Sequence, residues 1–514
     1  MPMHPVDPDH ERARPQGGAD AGRRARAVMV LSTSSGAGKS WLATALCRWY
    51  TRQGLRVAPF KAQNMSNNAR VVPGLGAMAP AGEIGSAQYF QALAARALPD
   101  VRMNPLLLKP ERDTHSQVVL MGQVDAALTA TPWRGRSARV WPVLAGALDS
   151  LMAQYDVVVI EGAGSPAEIN LADVDIVNMR VAAHADAACL LVTDIDRGGA
   201  FAHLYGTWAL LAPQERQRIR GFVLNKFRGD AALLEPGPQL LFERTGVPTV
   251  ATLPMWRDHG LPEEDGIFDE QARAGGAATH RVAVVAFPHV SNLDEFAPLH
   301  AVAGLVLTWV RTPAELDALG PQDWIVLPGS KSTNEDLAWM RRRGLDRAVA
   351  AHAARGAPVL GICAGLQMLG EALIDPHGID GNGPGLGLLP LVTVFARDKT
   401  VRLARAAFGA VQGAWCGLSG LEVAGYEIHH GQTRLHPAMA AAGHGAQAVM
   451  AHELAWQNDA GNVLGIYVHG LFEQPGVMAA LFGVRVQPLD AVFDALADYL
   501  QQHVEPGVLA ALLR

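Results

Sequence analysis

The chain has 514 residues, of which 49% are hydrophobic and 18% are charged, and its formal net charge is -6. This length exceeds what one hydrophobic core usually supports, so we expect two or three globular domains. The weak negative charge argues against a nucleic-acid partner. No apolar run approaches the roughly 20 residues of a membrane span, and the start lacks the apolar stretch of a signal peptide, so we expect a cytoplasmic protein with no membrane partner.

Cysteine usage indicates a reducing compartment. The four cysteines are widely spaced and form no CxxC pair: Cys47, Cys189, Cys363 and Cys416. This spacing disfavours both a disulfide framework and a zinc site. Cys189 lies inside an apolar run and is most simply interpreted as a core residue.

The first ordered segment carries a candidate phosphate-binding loop. Residues 1–26 mix Pro, Asp, Arg and Gly without periodicity and predict a disordered tail. An apolar strand at residues 27–31 then leads into the sequence STSSGAGKS, residues 32–40, and into an amphipathic helix. This order is typical of ATP-binding loops, in which backbone N–H groups hold the phosphates and a serine binds Mg²⁺. The candidate ATP-binding residues are Ser34, Gly36, Gly38, Lys39 and Ser40, and Ser40 is also a candidate Mg²⁺ ligand. A structural loop is the alternative, because a threonine precedes Ser34 where the full pattern has glycine.

Two polar segments follow, VAPFKAQNMS at residues 57–66 and GEIGSAQ at residues 82–88. The first predicts a strand that enters a loop, and the second predicts the start of a helix. Lys61 can neutralise charge on a transferred phosphoryl group. The other polar side chains are either turn formers or contacts for a substrate with several carboxylate or amide arms. The candidate substrate residues are Gln63, Asn64, Glu83 and Gln88.

Three apolar runs predict strands buried in a parallel sheet, at residues 156–164, 188–194 and 221–226. Each run ends on polar residues, where open α/β sheets bind their ligands. Glu161 ends the first run and is a candidate Mg²⁺ ligand, with a turn-forming acid as the alternative. Asn225 and Lys226 end the third run and are further candidates for ATP binding.

An acidic, glycine-rich segment at residues 256–280 predicts a linker between a first domain, residues 27–255, and a second domain, residues 281–514. The second domain contains GICAGLQMLG, residues 361–370. Flanking glycines and a preceding apolar strand predict a sharp strand-to-helix turn with Cys363 exposed as a nucleophile. The helix N-terminus would favour the thiolate. A buried core cysteine is the alternative.

A thiolate nucleophile needs a general base, and His469 is the leading candidate because it follows the apolar run at residues 464–468. His429 and His430 compete for this role from a predicted polar loop. Glu427 is a weak candidate for orienting a histidine.

These residues carry a resemblance to known families. The Cys363 segment, together with YVHGLF at residues 467–472, resembles class I glutamine amidotransferases, and the first domain resembles the dethiobiotin synthetase-like ATPases. In this order, and with KAQNMS, AGEIG, MNPLLLKP, EGAGSPAEINL, PGSKST and YEIHHGQT, the chain resembles the cobyric acid synthase family from residue 27 to about residue 500. The resemblance implies two doubly wound, mostly parallel α/β domains. Where many amidotransferases have a glutamate, this chain has Leu471, which implies a Cys–His dyad.

By this resemblance, Cys363 forms a glutamyl thioester with His469 as base and then acid, and N–H groups of Ala364 and of the turn at residues 328–330 stabilise the oxyanion. Ammonia then attacks a corrinoid carboxylate that ATP, with Mg²⁺, has phosphorylated. The implied substrate is adenosylcobyrinic acid a,c-diamide, amidated at its b, d, e and g carboxylates. Alternatives are an a,c-diamide synthase, a CTP synthase-like or lipid II-amidating enzyme, and a non-enzymatic partitioning-type ATPase.

Overall fold

The computed structural model describes residues 24–76, 78–112, 114–257, 259–262, 280–443 and 445–514. Most of the predicted tail, residues 1–23, and most of the predicted linker, residues 263–279, lie outside the described residues. Among the described residues, no helix combines the length and the apolar content that a membrane crossing requires.

The first domain alternates strands and helices. Its strands are β1 (Arg26–Ser32), β2 (Val57–Phe60), β3 (Gln63–Met65), β4 (Ala69–Val72), β5 (Gly82–Gly85), β6 (Leu106–Arg112), β7 (His115–Leu120), β8 (Gln123–Val124), β9 (Val157–Glu161), β10 (Ala188–Asp194), β11 (Ile219–Phe227) and β12 (Thr249–Pro254). Its helices are α1 (Lys39–Arg52), α2 (Ser86–Ala94), α3 (Ala126–Thr129), α4 (Trp133–Gln154), α5 (Met179–Ala185), α6 (Ala200–Leu210), α7 (Pro213–Arg216) and α8 (Gly237–Thr245).

The main sheet of this domain has the strand order β12-β11-β10-β1-β9-β2, and every pair is parallel. The central strands β1, β9 and β10 are almost wholly buried because apolar clusters cover both faces of the sheet. Because β1 and β9 are parallel neighbours, their carboxyl ends lie at the same edge of the sheet, and this edge carries the candidate phosphate loop and Glu161. Cys189 is a fully buried core residue, as predicted, and burial raises the pKa of its thiol to about 12.

Two small sheets extend the first domain. One has the order β3-β6-β7-β8, and the other is the antiparallel pair β4-β5. The segment at residues 82–88 therefore differs from the prediction, because its first four residues pair with β4 and the helix begins only at Ser86. Both β4 and β5 are buried along their whole length.

The second domain is also α/β. Its strands are β13 (His280–Val285), β14 (Leu305–Val310), β15 (Trp324–Leu327), β16 (Val359–Ile362), β17 (Ala372–Ile374), β18 (Gly383–Pro384), β19 (Leu391–Ala407), β20 (Glu422–Leu435), β21 (Ala446–Ala448), β22 (Ala455–Asn458) and β23 (Val463–Ile466). Its helices are α9 (Thr333–Arg343), α10 (Leu345–Ala354), α11 (Ala364–Leu369), α12 (Pro437–Ala441) and α13 (Pro475–Phe482), and the chain ends with α14 (Leu489–His503) and α15 (Val508–Ala511).

The main sheet of the second domain has the order β14-β13-β15-β16-β23-β22-β21. The first five strands are parallel, and β22 and β21 add an antiparallel edge. A second sheet has the order β18-β17-β19-β20 and includes the long β19–β20 hairpin, which packs against β4 and β5 of the first domain. The predicted fold class, two mostly parallel doubly wound domains, is confirmed.

The C-terminal helices pack on the first domain, although the sequence interpretation assigned residues 281–514 to the second. Val492, Phe493 and Leu496 of α14 join the apolar cluster around α1. Arg48 of α1, which is fully buried, donates to the carboxylate of Asp494 at 2.8 Å. An amphipathic helix at a chain end has an apolar stripe, but its periodicity does not say which domain covers that stripe.

Candidate active sites

Cys363 lies in a strained turn between β16 and α11. Its backbone has φ 53° and ψ -103°, a left-handed conformation that is costly for a residue with a side chain. A side chain at Gly365 would overlap the carbonyl of Leu327, so the turn packs directly on β15. The turn places the sulfur at the end of the parallel sheet, as the sequence predicted. The exposure predicted for Cys363 is wrong, because the residue is only 5% exposed and packs within the apolar cluster of the second domain.

His469 contacts this sulfur. It lies three residues beyond the end of β23, the neighbour of β16, and its side chain interacts with that of Cys363. The Sγ atom of Cys363 donates to the carbonyl of Ile428 at 3.7 Å. Its Nδ1 atom is 3.1 Å from Oε1 of Glu295, which leaves Nε2 for the sulfur. Burial alone lowers the pKa of His469, but the charges of Glu295 and Cys363 raise it to about 10. The surroundings of His469 therefore favour a protonated imidazolium beside the sulfur of Cys363.

Glu295 is the residue that sequence reasoning missed. It lies in the 3-10 helix Leu293–Ala301, is fully buried, and also accepts a hydrogen bond from the N–H of Gly470 at 3.0 Å. It lies 174 residues from His469 in the chain. The available signal was local, since Asp294 and Glu295 form an acidic pair inside an otherwise apolar segment.

The competing histidines have other partners. His429 and His430 lie on β20 and not in a polar loop as predicted. Glu427 does contact a histidine, but that histidine is His429, with Nε2 and Oε2 3.0 Å apart. Glu427 therefore does not serve His469. Burial is the main cause that lowers the pKa of His430, to about 4.

The predicted oxyanion donors lie near the catalytic pair. Ala364 is the first residue of α11, so its N–H belongs to the open end of the helix. Gly329, in the turn after β15, lies against the ring of His469, because a Cβ at this glycine would come within 2.9 Å of Cε1. Their role as oxyanion donors stays a prediction.

The phosphate loop joins β1 to α1. Gly38 caps α1 with φ 99°, a conformation that favours glycine. The Nζ atom of Lys39 donates to Oγ of Ser32 at 2.8 Å and to the carbonyl of Gly164 at 3.3 Å. Ser34 and Gly36 are exposed. The loop therefore presents backbone N–H groups, and its lysine rests on neutral oxygens that a phosphate could replace.

Glu161 is the last residue of β9, and its carboxylate accepts hydrogen bonds from several of the residues predicted to bind ATP or Mg²⁺. Its Oε1 atom accepts from Oγ of Ser40 at 2.9 Å and from Nζ of Lys61 at 2.8 Å, and its Oε2 atom accepts from Nε2 of Gln91 at 2.6 Å. Burial alone would raise the pKa of Glu161, but Lys61 and these hydrogen bonds hold it below its usual range. An ionised carboxylate beside a hydroxyl fits Mg²⁺, which prefers oxygen ligands and completes its shell with water and phosphate oxygens.

Asn225 and Lys226 contact the loop itself. The amide of Asn225 donates to the carbonyl of Ala37 at 2.9 Å, and Nζ of Lys226 donates to the carbonyl of Gly36 at 2.8 Å. They fix the loop from the end of β11. Direct contact of either side chain with ATP stays a prediction.

The four predicted substrate residues are buried, and the contacts that the structure gives them are with protein groups. Glu83 is 1% exposed and binds Lys109 at 2.8 Å and Lys399 at 2.5 Å. Burial alone would raise its pKa, but these two lysines lower it to about 2. Gln88 donates to Glu161 at 3.4 Å, and Oδ1 of Asn64 accepts from the backbone of Met65. Gln63 is 8% exposed. Their contact with a substrate stays a prediction.

A cavity of about 700 Å³ lies between the two domains, at the small sheet that contains β3. Apolar side chains from both domains line it, and so do several polar and basic ones. Among them are Met65, Leu108, Trp133, Arg136, His115 and His289. A hydrogen bond to Asp336 is the main cause that raises the pKa of His289, which favours a positive charge at the wall.

Two family models match the chain. The model for the CobQ/CobB/MinD/ParA nucleotide binding domain matches residues 28–264, and that for the CobB/CobQ-like glutamine amidotransferase domain matches residues 281–477. The chain is 71% identical to the cobyric acid synthase of Polaromonas naphthalenivorans, covering 95% of this chain and 99% of that protein. It is also 71% identical to the cobyric acid synthase of Variovorax paradoxus, with the same coverage. Identity to the cobyric acid synthase of a further Polaromonas strain is 68%, over 96% and 99% of the two chains.

Proposed function

The chain belongs to the cobyric acid synthase family, and from this premise we propose that it amidates the b, d, e and g carboxylates of adenosylcobyrinic acid a,c-diamide, with ATP and glutamine as co-substrates. The resemblance of the sequence to this family is thereby confirmed. One observation carries the proposal: an interacting Cys363–His469 pair and a phosphate loop occur in one chain, each at the polar edge of its own parallel sheet.

The thiolate of Cys363 attacks the carboxamide carbon of glutamine and forms a tetrahedral oxyanion. N–H groups of Ala364 and of the turn at residues 328–330 stabilise that oxyanion. His469 donates a proton to the leaving nitrogen, so that ammonia departs and a glutamyl thioester remains. His469 then accepts a proton from the water that hydrolyses the thioester to glutamate. Glu295 holds the imidazole in place throughout.

In the first domain, the terminal phosphoryl group of ATP passes to a substrate carboxylate and forms an acyl phosphate and ADP. Lys39 and Lys61 offset charge on that phosphoryl group. Ser40 and Glu161 would hold Mg²⁺, which supplies charge neutralisation at the phosphates. Ammonia then attacks the acyl carbon, phosphate leaves, and an amide results.

In this proposal the corrinoid macrocycle binds in the cavity between the domains. Its flat apolar ring suits Met65, Leu108 and Trp133, and its carboxylate arms suit Arg136 and His289. Met65 lies four residues beyond Lys61 in the chain, so the Cα atoms of the two residues are about 13 Å apart at most, the span of four extended residues. A side arm of the ring can therefore extend from the cavity towards the phosphate site.

Mass spectrometry of the corrinoid after incubation with ATP, magnesium and glutamine tests the proposal. Four successive mass shifts, each of one carboxylate converted to carboxamide, are expected with the a,c-diamide as substrate. Turnover of cobyrinic acid instead of its a,c-diamide would overturn the proposal in favour of an a,c-diamide synthase. A partitioning-type ATPase would need neither Cys363 nor His469, and it would leave glutamine unhydrolysed.

A further inference from the structure

A buried arginine of the first domain lies beside the thiol site of the second. Arg70 belongs to β4 and is 2% exposed. Its guanidinium donates to both carboxylate oxygens of Glu473, at 2.5 and 2.9 Å, and also to Asp294. Both acids belong to the second domain. Bidentate contacts of this kind fix orientation as well as charge.

The two acids flank the residues that orient and form the catalytic pair. Asp294 directly precedes Glu295, which binds His469. Glu473 ends the 3-10 helix Leu471–Glu473, which begins two residues after His469. Arg70 therefore joins the segment that carries Glu295 to the segment that carries the imidazole.

Aromatic rings surround the guanidinium. Its central carbon lies 5.5 Å from the ring centre of Tyr89, 5.0 Å from that of Phe90 and 5.2 Å from that of Tyr426. Tyr426 in turn stacks on the imidazole of His469, with ring centres 5.3 Å apart. Arg70 thus also packs against the ring that supports the face of the catalytic histidine.

Backbone contacts of the same segment hold the turn before Glu295. Oδ1 of Asn68 accepts from the N–H of Leu293 at 2.9 Å, and the carbonyl of Ala69 accepts from the amide of Asn292 at 3.1 Å. Asn292 has φ 58° and ψ 42°, so this turn is held in a left-handed conformation. Residues 68–70 therefore dock on the turn as one unit.

The arginine is also connected to the phosphate site. Tyr89 and Phe90 belong to α2, the helix whose Gln88 and Gln91 donate to Glu161. One helix, α2, therefore contacts Glu161 on one side and Arg70 on the other. Packed side chains and a rigid helix are the kind of contiguous link that can carry coupling between two sites.

We infer that Arg70 is a positioning residue for glutamine hydrolysis: through its contacts with Asp294, Glu473 and Tyr426, the first domain sets the geometry of Glu295 and His469 in the second. The inference rests on the proposed function, because it takes Cys363 and His469 as the glutamine-hydrolysing pair. It adds that this pair depends on a side chain from the other domain. Among the described residues, the side-chain hydrogen bonds of Arg70 go to Asp294 and Glu473, and none goes to Cys363 or His469.

The test measures glutamine-driven and ammonia-driven amidation of the corrinoid in the full-length chain. The variants are Arg70→Met, Arg70→Lys and Glu473→Gln. Arg48→Met is the matched control, because Arg48 is also fully buried and paired with two acids of a distant segment, but those acids belong to α14 and not to the segments that carry Glu295 and His469. Thermal unfolding of each variant distinguishes a chain that no longer folds from a folded chain in which Glu295 and His469 are misplaced.

For Arg70→Met we expect kcat of the glutamine-driven reaction to fall about 100-fold, because misplacing a reacting group by about 1 Å has that effect. KM for glutamine and the ammonia-driven rate should stay within about 2-fold of wild type. In Arg70→Lys and in Glu473→Gln, kcat of the glutamine-driven reaction should fall about 10-fold, since each variant keeps part of the contact between residues 70 and 473. Arg48→Met should keep the wild-type ratio of the two rates.

Equal loss of both rates in Arg70→Met, or an unchanged ratio in both Arg70→Met and Glu473→Gln, would overturn the inference. If Arg70→Met does not fold, Glu473→Gln decides alone, because it removes one charge and preserves the shape of the side chain. A wild-type chain that hydrolyses no glutamine would instead refute the proposed function, which is a distinguishable result.

Discussion

The thiol site and the phosphate site occupy equivalent edges of two similar sheets, but their charges are arranged differently. At the thiol site, Glu295, His469 and Cys363 contact one another in the order that the chemistry needs. At the phosphate site, Lys39 and Lys61 rest on protein oxygens that a ligand would replace. The first site is pre-organised for covalent chemistry, and the second must exchange internal contacts for phosphate contacts when ATP binds.

This difference has a physical origin. A thiolate must be stabilised before substrate arrives, so its counter-charge is built into the protein. A lysine that awaits a phosphate would be costly to bury without a partner, and Glu161 supplies that partner for Lys61. The two sites should therefore respond differently to loss of a single charge.

The largest effect is expected at the phosphate loop. Lys39→Met should lower both glutamine-driven and ammonia-driven amidation by about 1000-fold, because it removes a charge that acts on the transferred phosphoryl group. Arg52→Met, at the exposed end of the same helix, is the control and should be close to wild type. Measuring both rates sharpens the comparison, since a loss confined to the glutamine-driven rate would contradict the assignment.

A smaller effect is expected behind the histidine. Glu295→Gln should lower glutamine hydrolysis by about 100-fold, because the amide keeps contact with the ring but not its charge. Because the charge of Glu295 raises the pKa of His469 to about 10, wild-type activity should persist to alkaline pH and decline as His469 loses its proton near that value. In the variant this decline should move to lower pH. If the alkaline decline of Glu295→Gln occurs at the same pH as in wild type, Glu295 does not set the pKa of His469.

The matched control for that variant lies nearby. Glu427→Gln removes the carboxylate that serves His429 and leaves the partner of His469 in place. Its pH profile for glutamine hydrolysis should coincide with that of wild type.

The smallest effect is expected in the cavity. Met65→Glu places a negative charge where the corrinoid carboxylates would lie, and should raise KM for the corrinoid about 10-fold. Met65→Gln has the same shape without the charge and should raise it less. Both variants should leave glutamine hydrolysis unchanged. Equal KM values for the corrinoid in the two variants would contradict its binding in this cavity.

Much of this fold could be predicted from local patterns. Short apolar runs that end on polar residues fixed the parallel strands, and a glycine-framed cysteine after such a run indicated the turn at Cys363. Ligands of open α/β sheets bind at the carboxyl ends of the strands, and this rule predicted that His469 lies near the sulfur, although the two residues follow different strands. These features are predictable because strand period and turn geometry are local properties.

Other features depend on long-range packing and have no local pattern. Glu295 reaches His469 only because the 3-10 helix after β13 packs beside the turn after β23. The protein partners of Glu83 and Gln88 lie on other segments of the chain, so no local pattern showed them, and contact of these two side chains with a substrate stays a prediction. The docking of α14 on α1 likewise depends on which apolar surface is available.

The division of labour between the two sites is the central claim, and Cys363→Ala tests it most directly. The variant lacks the nucleophile but keeps the phosphate site, so the same preparation can be supplied with glutamine or with ammonium salt and the amidated corrinoid measured by mass spectrometry. We expect the glutamine-driven product to disappear and the ammonia-driven product to remain near the wild-type amount. Loss of both products in a folded variant would contradict the account.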